Sequence, residues 1–202
     1  MKRNLVLLLS LCGLFSAASS CTRAQFGYGG TLYPSAGAAL EAQRRQNAST
    51  LSEIPRSTNP VDGRALLVLP SRALIRQRGI RTTGPPTEEQ IEFIVTAVEV
   101  GYDNMADALR KRQIFDDLTV KKSDEPESVK PDKHDVIIYP TLPSSGQVQW
   151  FLRTGSPTSE AVPIYTNQTL SGREQMLAWL DYVAQTATEQ LRRERPQKGA
   201  KP

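Results

Sequence analysis

Residues 64–70 read Arg-Ala-Leu-Leu-Val-Leu-Pro, and the apolar side chains from Ala65 to Leu69 follow one another without interruption. An apolar run of this length without polar alternation is typical of a strand that is buried on both faces of a sheet. Pro70 cannot donate a hydrogen bond to a β-ladder, so we expect the strand to end there. Such a strand needs covering elements, and the sequence on its carboxyl side supplies them.

A long amphipathic helix is predicted from Thr87 to about Arg112. Thr87 and Gln90 have the spacing of a capping box, in which each side chain bonds the other residue's backbone N–H. Gly101 interrupts the pattern, and we expect it to permit close packing against the sheet. Apolar residues recur three and four positions apart and form one stripe: Ile91, Ile94, Val95, Val98, Tyr102, Met105 and Leu109.

The remaining pattern predicts more strands and a closing helix. Strands are expected near residues 115–120, 135–140, 148–152 and 162–166, with a charged loop over 121–133. Ser171 and Glu174 form a second capping box before an apolar stripe that ends at Leu191. This order predicts an α+β fold in which two amphipathic helices cover one face of a small mixed β-sheet, giving two layers.

The segment before the first strand predicts a flexible tether, because no sustained apolar period runs from Thr22 to about Asp62. Residues 36–46 have the composition of a short helix, which would be marginal in isolation. A coil of roughly 40 residues could reach about 130 Å when extended. The predicted division is a signal peptide over 1–20, a disordered tether over 21–62, a globular domain over 63–191 and a disordered basic tail over 192–202.

The amino terminus predicts export. Lys2 and Arg3 precede an apolar stretch over 5–15, and small residues occupy 17–20, which is the order of charged, apolar and cleavage regions in a secretory signal. The stretch is too short to remain as a membrane-spanning helix, which needs about 20 apolar residues. We therefore expect the mature protein to lie outside the cytoplasm.

Cysteine usage points to a lipid anchor. Cys12 lies inside the predicted signal, so cleavage would leave Cys21 as the single cysteine of the mature chain and no intrachain disulfide could form. Residues 18–21, Ala-Ser-Ser-Cys, resemble a bacterial lipobox, and lipidation would account for the position of Cys21. Thr22, rather than an aspartate, follows Cys21, which by resemblance to Gram-negative lipoproteins favours the outer membrane. The alternative is an ordinary signal cut near Ser20, with Cys21 incidental.

The pattern over about 64–191 resembles a family of envelope domains. The strand Leu67-Val68-Leu69-Pro70, a helix running into residues 109–115, the strand 135–139, an antiparallel pair and a final helix are similar to the amino-terminal domain of the Tol-system propeller protein. Related folds occur in the curli secretion lipoprotein and in outer-membrane lipoprotein activators of penicillin-binding proteins. The resemblance implies periplasmic binding between envelope components, usually without catalysis.

The composition offers little for catalysis or metal binding. His134 is the single histidine and stands in a charged region before a strand, where a surface role is expected. Zinc needs three or four ligands, and His134 with one acylated cysteine cannot supply them. No glycine-rich nucleotide loop or nucleophile elbow is present. The net charge of +4 falls near +2 without Lys2 and Arg3, which is too small to predict nucleic-acid binding. We expect no cofactor, no metal and no enzymatic activity.

Two groups of side chains are candidates for partner binding. Four arginines follow the first strand in a predicted loop, where their guanidinium groups could engage an acidic partner surface, peptidoglycan carboxylates or lipid head groups, although a solvated loop is the simpler interpretation: Arg72, Arg76, Arg78 and Arg81. Trp150 and Phe151 point to opposite faces of a strand. Either one is exposed as a partner anchor, or both pack against separate layers.

These features predict a non-enzymatic lipoprotein of the outer membrane, facing the periplasm. Cys21 would anchor it to the membrane, and the globular domain would bind and regulate or scaffold another envelope protein, for example one associated with peptidoglycan. The alternative is an oligomeric subunit of an envelope-spanning export or assembly machine. An enzyme acting on cell-wall or lipid substrates is the third and weakest interpretation.

Overall fold

The computed structural model describes residues 26–28, 31–78, 85–131, 133–142, 148–156, 159–164 and 173–194. The elements in chain order are β1 (Phe26–Tyr28), β2 (Thr31–Tyr33), α1 (Ala36–Ser52), β3 (Val61–Pro70), α2 (Arg72–Arg78), α3 (Glu88–Arg112), β4 (Phe115–Ser123), a 3-10 turn (Pro126–Ser128), β5 (Val136–Thr141), β6 (Gln149–Thr154), β7 (Val162–Ile164) and α4 (Arg173–Glu194). The predicted signal peptide, Cys21, Arg81 and Ser171 lie outside the described residues.

A five-stranded sheet in the order β4-β3-β5-β6-β7 forms the centre of the fold. β3 is parallel to both of its neighbours, whereas β5, β6 and β7 pair antiparallel. Leu67 lies opposite Val120 of β4 and Ile138 of β5. The predicted α+β class with a mixed sheet is therefore confirmed.

Helices cover one face of this sheet. Odd-numbered residues of β3, such as Leu67 and Leu69, pack into the main core with Leu109 of α3 and Trp179 of α4. Even-numbered residues lie on the opposite face, as expected from strand geometry: Leu66 and Val68, together with Ile137 and Tyr139 of β5. Segment 126–129 crosses this second face through buried Pro126 and the packed Val129. Both faces of β3 are thus buried, as its apolar run predicts.

Helix α3 begins and ends where its sequence indicates. Thr87 Oγ1 accepts a hydrogen bond from the Gln90 N–H at 3.2 Å, and Gln90 Oε1 accepts one from the Thr87 N–H at 2.8 Å, so the predicted capping box is present. At the other end Gln113 adopts a left-handed conformation with φ of 52° and donates its N–H to the Arg110 carbonyl. Such a residue commonly terminates a helix.

Gly101 differs from its predicted role. A Cβ at this position of α3 would meet no atom within 4 Å, so close packing does not require glycine here. Because glycine is unfavourable inside a helix, we expect Gly101→Ala to raise the free energy of unfolding by about 0.5–1 kcal/mol, measured by urea denaturation. The control is Gly155→Ala, whose Cβ would collide with the His134 carbonyl oxygen and which should destabilise the protein. A loss of stability in Gly101→Ala would contradict this assignment.

The predicted tether over 21–62 is wrong for its described part, because this segment folds onto α3. Phe26 of β1 and Ala39 of α1 are buried against Phe93 and Ile94. The Gln43 side-chain amide, also buried, donates a hydrogen bond to the Ala97 carbonyl at 2.9 Å. A helix that would be marginal alone is stabilised by these contacts. It extends over 17 residues.

The start of the folded body is consequently close to Cys21. β1 begins at Phe26, five positions after Cys21. Five residues span at most about 18 Å when fully extended. A body that starts at Phe26 therefore cannot stand far from an anchor at Cys21.

Two further boundaries differ from the sequence prediction. Strand β4 continues to Ser123, so the charged connection starts later than residue 121. At the carboxyl end, residues 192–194 complete α4 instead of starting a disordered tail. Leu191 is still buried, and Arg192 and Arg193 lie in the last turn, where cations are favourable beside the helix dipole.

Candidate partner-binding surface

The predicted arginine-rich loop is wrong over residues 72–78, which form helix α2. Ser71 caps this helix, because its Oγ accepts a hydrogen bond from the Leu74 N–H at 3.1 Å. Leu74 and Ile75 are buried and hold α2 to the core. These two apolar side chains are the sequence feature that indicates a packed helix here, although the surrounding arginines suggest an exposed loop.

Arg72 and Arg76 lie in an ion-pair network with α3. Arg72 pairs with Glu92 and Glu99, and Arg76 pairs with Glu88 and also lies 3.6 Å from Glu92. Lys122 of β4 joins the network at 3.3 Å from Glu99 and 4.0 Å from Asp103. The network thus links α2, α3 and the edge strand of the sheet.

The electrostatic character of this surface is close to neutral. Three cations face four carboxylates, so the expected basic patch is not formed by Arg72 and Arg76. Desolvation lowers the pKa of Arg72, but hydrogen bonds and charge interactions with Glu92 and Glu99 together raise it above its usual value. Because these side chains are partly exposed, each pair contributes at most about 1 kcal/mol. The network orients α2 and does not present free guanidinium groups.

Arg78 is the last residue of α2, and its side chain is exposed. None of the ion pairs among the described residues includes it. Arg81 lies outside the described residues. Of the four predicted partner-binding arginines, Arg78 is therefore the one that the described surface leaves as a direct candidate.

The prediction of Trp150 as an exposed partner anchor is wrong, because Trp150 lies in the core and is only 5% exposed. Its ring lies edge-on between Tyr102, at 6.0 Å, and Trp179, at 5.2 Å. Phe151 points to the other face of β6, as predicted, where it is partly buried and stacks on Tyr139 at 5.8 Å. The interpretation in which both aromatic residues pack against separate layers is the one that the structure shows.

The Tyr102 hydroxyl is buried and has no hydrogen-bond partner among the described residues. Burial raises the pKa of Tyr102 above its ordinary value of 10. As the pH rises past 10, the Tyr102 hydroxyl ionises in the unfolded chain before it ionises in the folded protein. Ionisation therefore favours the unfolded chain, and this residue lowers stability in alkaline solution. We expect Tyr102→Phe to raise the free energy of unfolding by about 1 kcal/mol at neutral pH and to reduce the loss above pH 10. Urea denaturation at pH 7 and 10.5 measures both, and a loss of about 2 kcal/mol or more at pH 7 would show that the hydroxyl is bonded.

His134 lies beside a shallow groove of about 360 Å³ at the amino-terminal ends of β3 and β5. Its Nδ1 is 3.0 Å from the Pro131 carbonyl oxygen. The neighbouring Asp135 carboxylate accepts the Arg64 backbone N–H at 2.8 Å and lies 3.6 Å from the Arg64 guanidinium. The Asp135 side chain therefore joins β3 to the start of β5, whereas the His134 ring contacts the segment just before β5.

A second, larger groove of about 520 Å³ lies between residues 57–59 and α4. Arg112 forms part of its wall, and this guanidinium donates to the Pro55 carbonyl at 3.1 Å and to Asp181 at 2.6 Å. The other lining residues are polar except for one alanine: Ser57, Thr58, Asn59, Ala184, Gln185, Thr188, Glu189 and Arg192. Sequence reasoning missed this groove because its walls come from segments that lie far apart along the chain.

Metal and membrane-spanning features are both absent from the part of the chain described here. No group of three or more histidine, cysteine or acidic side chains is placed to hold a metal ion. No helix among the described elements combines the length and apolarity needed to cross a bilayer.

Comparison of the chain with protein-family models, curated proteins and solved structures finds no match. The resemblance to the Tol-system propeller domain and its relatives therefore stays a prediction.

Proposed function

We propose that this protein is a non-enzymatic lipoprotein of the outer membrane that binds another cell-envelope protein. Cys21 carries the acyl chains, and the α+β domain faces the periplasm. The proposal is supported by the order of charged, apolar and small residues before Cys21, and by the absence of a second cysteine after it.

The observation that carries the proposal is the position of Phe26. Because the folded body begins five residues after Cys21, an acylated chain would hold the domain against the membrane surface. This differs from capture of a partner at a distance through a long tether. The proposed partner is accordingly a protein that is itself in the membrane or close to its surface.

The groove beside α4 is the proposed contact surface for this partner. Hydrogen-bonding groups come from Ser57, Asn59 and Gln185, and the lining also holds two carboxylates and two guanidinium groups. Such a lining suits a polar protein segment more than an apolar ligand. Arg78 at the end of α2 is the competing contact.

The anchor is tested by Cys21→Ala. We expect this variant to lose acyl label and to leave the membrane fraction, because Cys21 is the proposed attachment point and one acylated residue provides the membrane affinity. Metabolic labelling with palmitate and fractionation of intact cells measure the two properties. Cys12→Ala is the matched control and should keep both. Unchanged labelling and partitioning in Cys21→Ala would contradict the proposed anchor.

The contact surface is tested with photo-crosslinking residues at two exposed glutamines. Gln185 lies in the groove of α4 and Gln77 lies on α2. The proposal expects a discrete crosslinked product from position 185 and none from position 77. Crosslinking from position 77 alone would show that the partner contacts α2 near Arg78. No product from either position would contradict binding by these two surfaces.

A subunit of an envelope-spanning assembly remains the second candidate function. It is favoured by one specific observation, the charge order along β4, because that order fits pairing between two copies of the chain.

A further inference from the structure

Strand β4 forms one edge of the five-stranded sheet. Its inner side pairs with β3 over residues 115–123, and no other described strand pairs with its outer side. Asp117, Thr119 and Lys121 are exposed along this strand. An edge strand presents unpaired backbone N–H and C=O groups to any further strand that approaches it.

The sequence of β4 has opposite charges placed symmetrically about one residue. Residues 116–122 read Asp-Asp-Leu-Thr-Val-Lys-Lys, with Thr119 at the centre. Each position on one side of Thr119 is matched on the other side by a residue of opposite charge or of the same apolar type. We infer that this edge pairs with the same edge of a second copy of the chain.

The pairing that fits is antiparallel, with a twofold axis that is perpendicular to the sheet and lies midway between the two copies of Thr119. Asp117 of each copy then faces Lys121 of the other, and Asp116 faces Lys122. Residues directly opposite each other in an antiparallel pair point to the same face. The axis therefore places the helices of both copies on the same side of one continuous sheet and makes the interface isologous.

Other registers lose this match. A twofold axis perpendicular to the sheet lies midway between one residue and the same residue of the other copy, because directly opposed residues must point to the same face. The register can therefore move only in steps that bring a neighbouring residue opposite its own copy. Centring on Leu118 would place Asp117 opposite Thr119 and leave its charge unmatched. Centring on Val120 would place Asp116 opposite Asp124, which is repulsive. The charge order thus selects Thr119.

The pairs on the two faces of the sheet are not equivalent. On the helix side, Lys122 already lies 3.3 Å from Glu99. Asp116, at the irregularity in the pairing with β3, accepts the Gly63 N–H at 3.1 Å. On the other side, no described ion pair includes Asp117 or Lys121. The two Asp117–Lys121 pairs therefore provide most of the charge complementarity. A single strand edge buries less area than a typical stable interface, so we expect a reversible dimer that salt weakens.

This inference does not depend on the lipid anchor, and its test uses charge exchange. Asp117→Lys and Lys121→Asp each place like charges opposite each other across the axis. The double variant Asp117→Lys/Lys121→Asp restores opposite charges in the same geometry. Both positions are exposed, so none of the three variants should unfold, which circular dichroism checks.

Sedimentation velocity of the full 202-residue chain in mild detergent measures the association. We expect the parent chain to dimerise as its concentration rises, each single variant to associate about tenfold more weakly, and the double variant to return to the parent value. A parent chain that is monomeric at every concentration would overturn the inference. So would a double variant that stays as weak as the single ones.

A disulfide measures the register directly. Thr119 lies opposite its own copy, where antiparallel strands place Cα atoms about 4.5–5.5 Å apart, within the range that a disulfide spans. We expect Thr119→Cys in the full chain to give a dimer on non-reducing gels after mild oxidation. The unsubstituted chain controls for Cys12 and Cys21, and Thr188→Cys, at an exposed position of α4, controls for random collision. Equal crosslinking at 119 and 188 would overturn the register.

Discussion

Replacing Phe26 with Ala is expected to lower the free energy of unfolding by about 3 kcal/mol, the lower end of the range for a buried phenylalanine. Phe26 is only 3% exposed and lies edge-on to Phe93 at 5.1 Å. Its removal leaves a cavity between β1, α1 and α3. The effect is large because Phe26 is a buried side chain of β1 that packs in this cluster.

Amide hydrogen exchange and urea denaturation check this result. Helix α1, residues 36–52, should lose protection in Phe26→Ala before the sheet does, because this cluster is separate from the main core. Leu32→Ala is the matched control: Leu32 lies on the partner strand β2 but is 54% exposed, so its loss should cost little. If the two variants behaved alike, residues 26–52 would not be docked on α3.

Replacing Trp179 with Ala is expected to cost about 3–5 kcal/mol and to leave little folded protein at physiological temperature. Trp179 is fully buried on α4 and lies 5.2 Å from Trp150, with the rings at 61°. This edge-to-face contact joins the closing helix to β6. Differential scanning calorimetry measures the change in melting temperature.

Two further variants on α4 test whether the cost of Trp179→Ala comes from lost core packing. The side chain of Tyr182 is aromatic but 40% exposed. Tyr182→Ala should therefore change stability by less than about 1 kcal/mol. Trp179→Phe keeps a ring and removes an indole N–H that has no described hydrogen-bond partner, so its cost should be clearly below that of Trp179→Ala. Equal costs for Trp179→Phe and Trp179→Ala would contradict a packing role.

The sheet and the two long helices could be predicted because their signals are local. The apolar run of β3 reports burial on both faces, and the Thr87 and Gln90 pair marks the beginning of α3. The alternation in β6 correctly places Trp150 and Phe151 on opposite faces. Which segment covers the second face could not be predicted, because the cover comes from a charged segment with two prolines.

Composition indicates a short helix over 36–46, but the full length of α1 and its docking on α3 could not be predicted, because its burial depends on distant residues. Only Ala39 and Gln43 are buried in it, so no broad apolar stripe marks the helix. The surface that receives it is formed by Phe93, Ile94 and Ala97 of α3, which lie far along the chain. Segment 36–52 thus has no sustained apolar period, and its helix is stabilised by contacts with α3 that the local sequence pattern does not predict.

The candidate contact surfaces show the same limit. The charges of Arg72 and Arg76 are evident in the sequence, but their carboxylate partners are set by the angle at which α2 meets α3. The mirrored charges around Thr119 are also evident in the sequence, but they indicate pairing with a second copy only because β4 lies at a sheet edge. Tertiary position decides in both cases which charges remain available for a partner.

The most direct test of the account is the distance between the folded body and the membrane. Neutron reflectometry of the acylated protein on a supported bilayer measures the profile of protein density above the head groups. The folded body begins at Phe26, close to the proposed anchor at Cys21. The reach of the chain over the five positions from Cys21 to Phe26 predicts protein density within about 20 Å of the head groups. A gap of several times that distance before the body, or the absence of bound protein, would contradict the account.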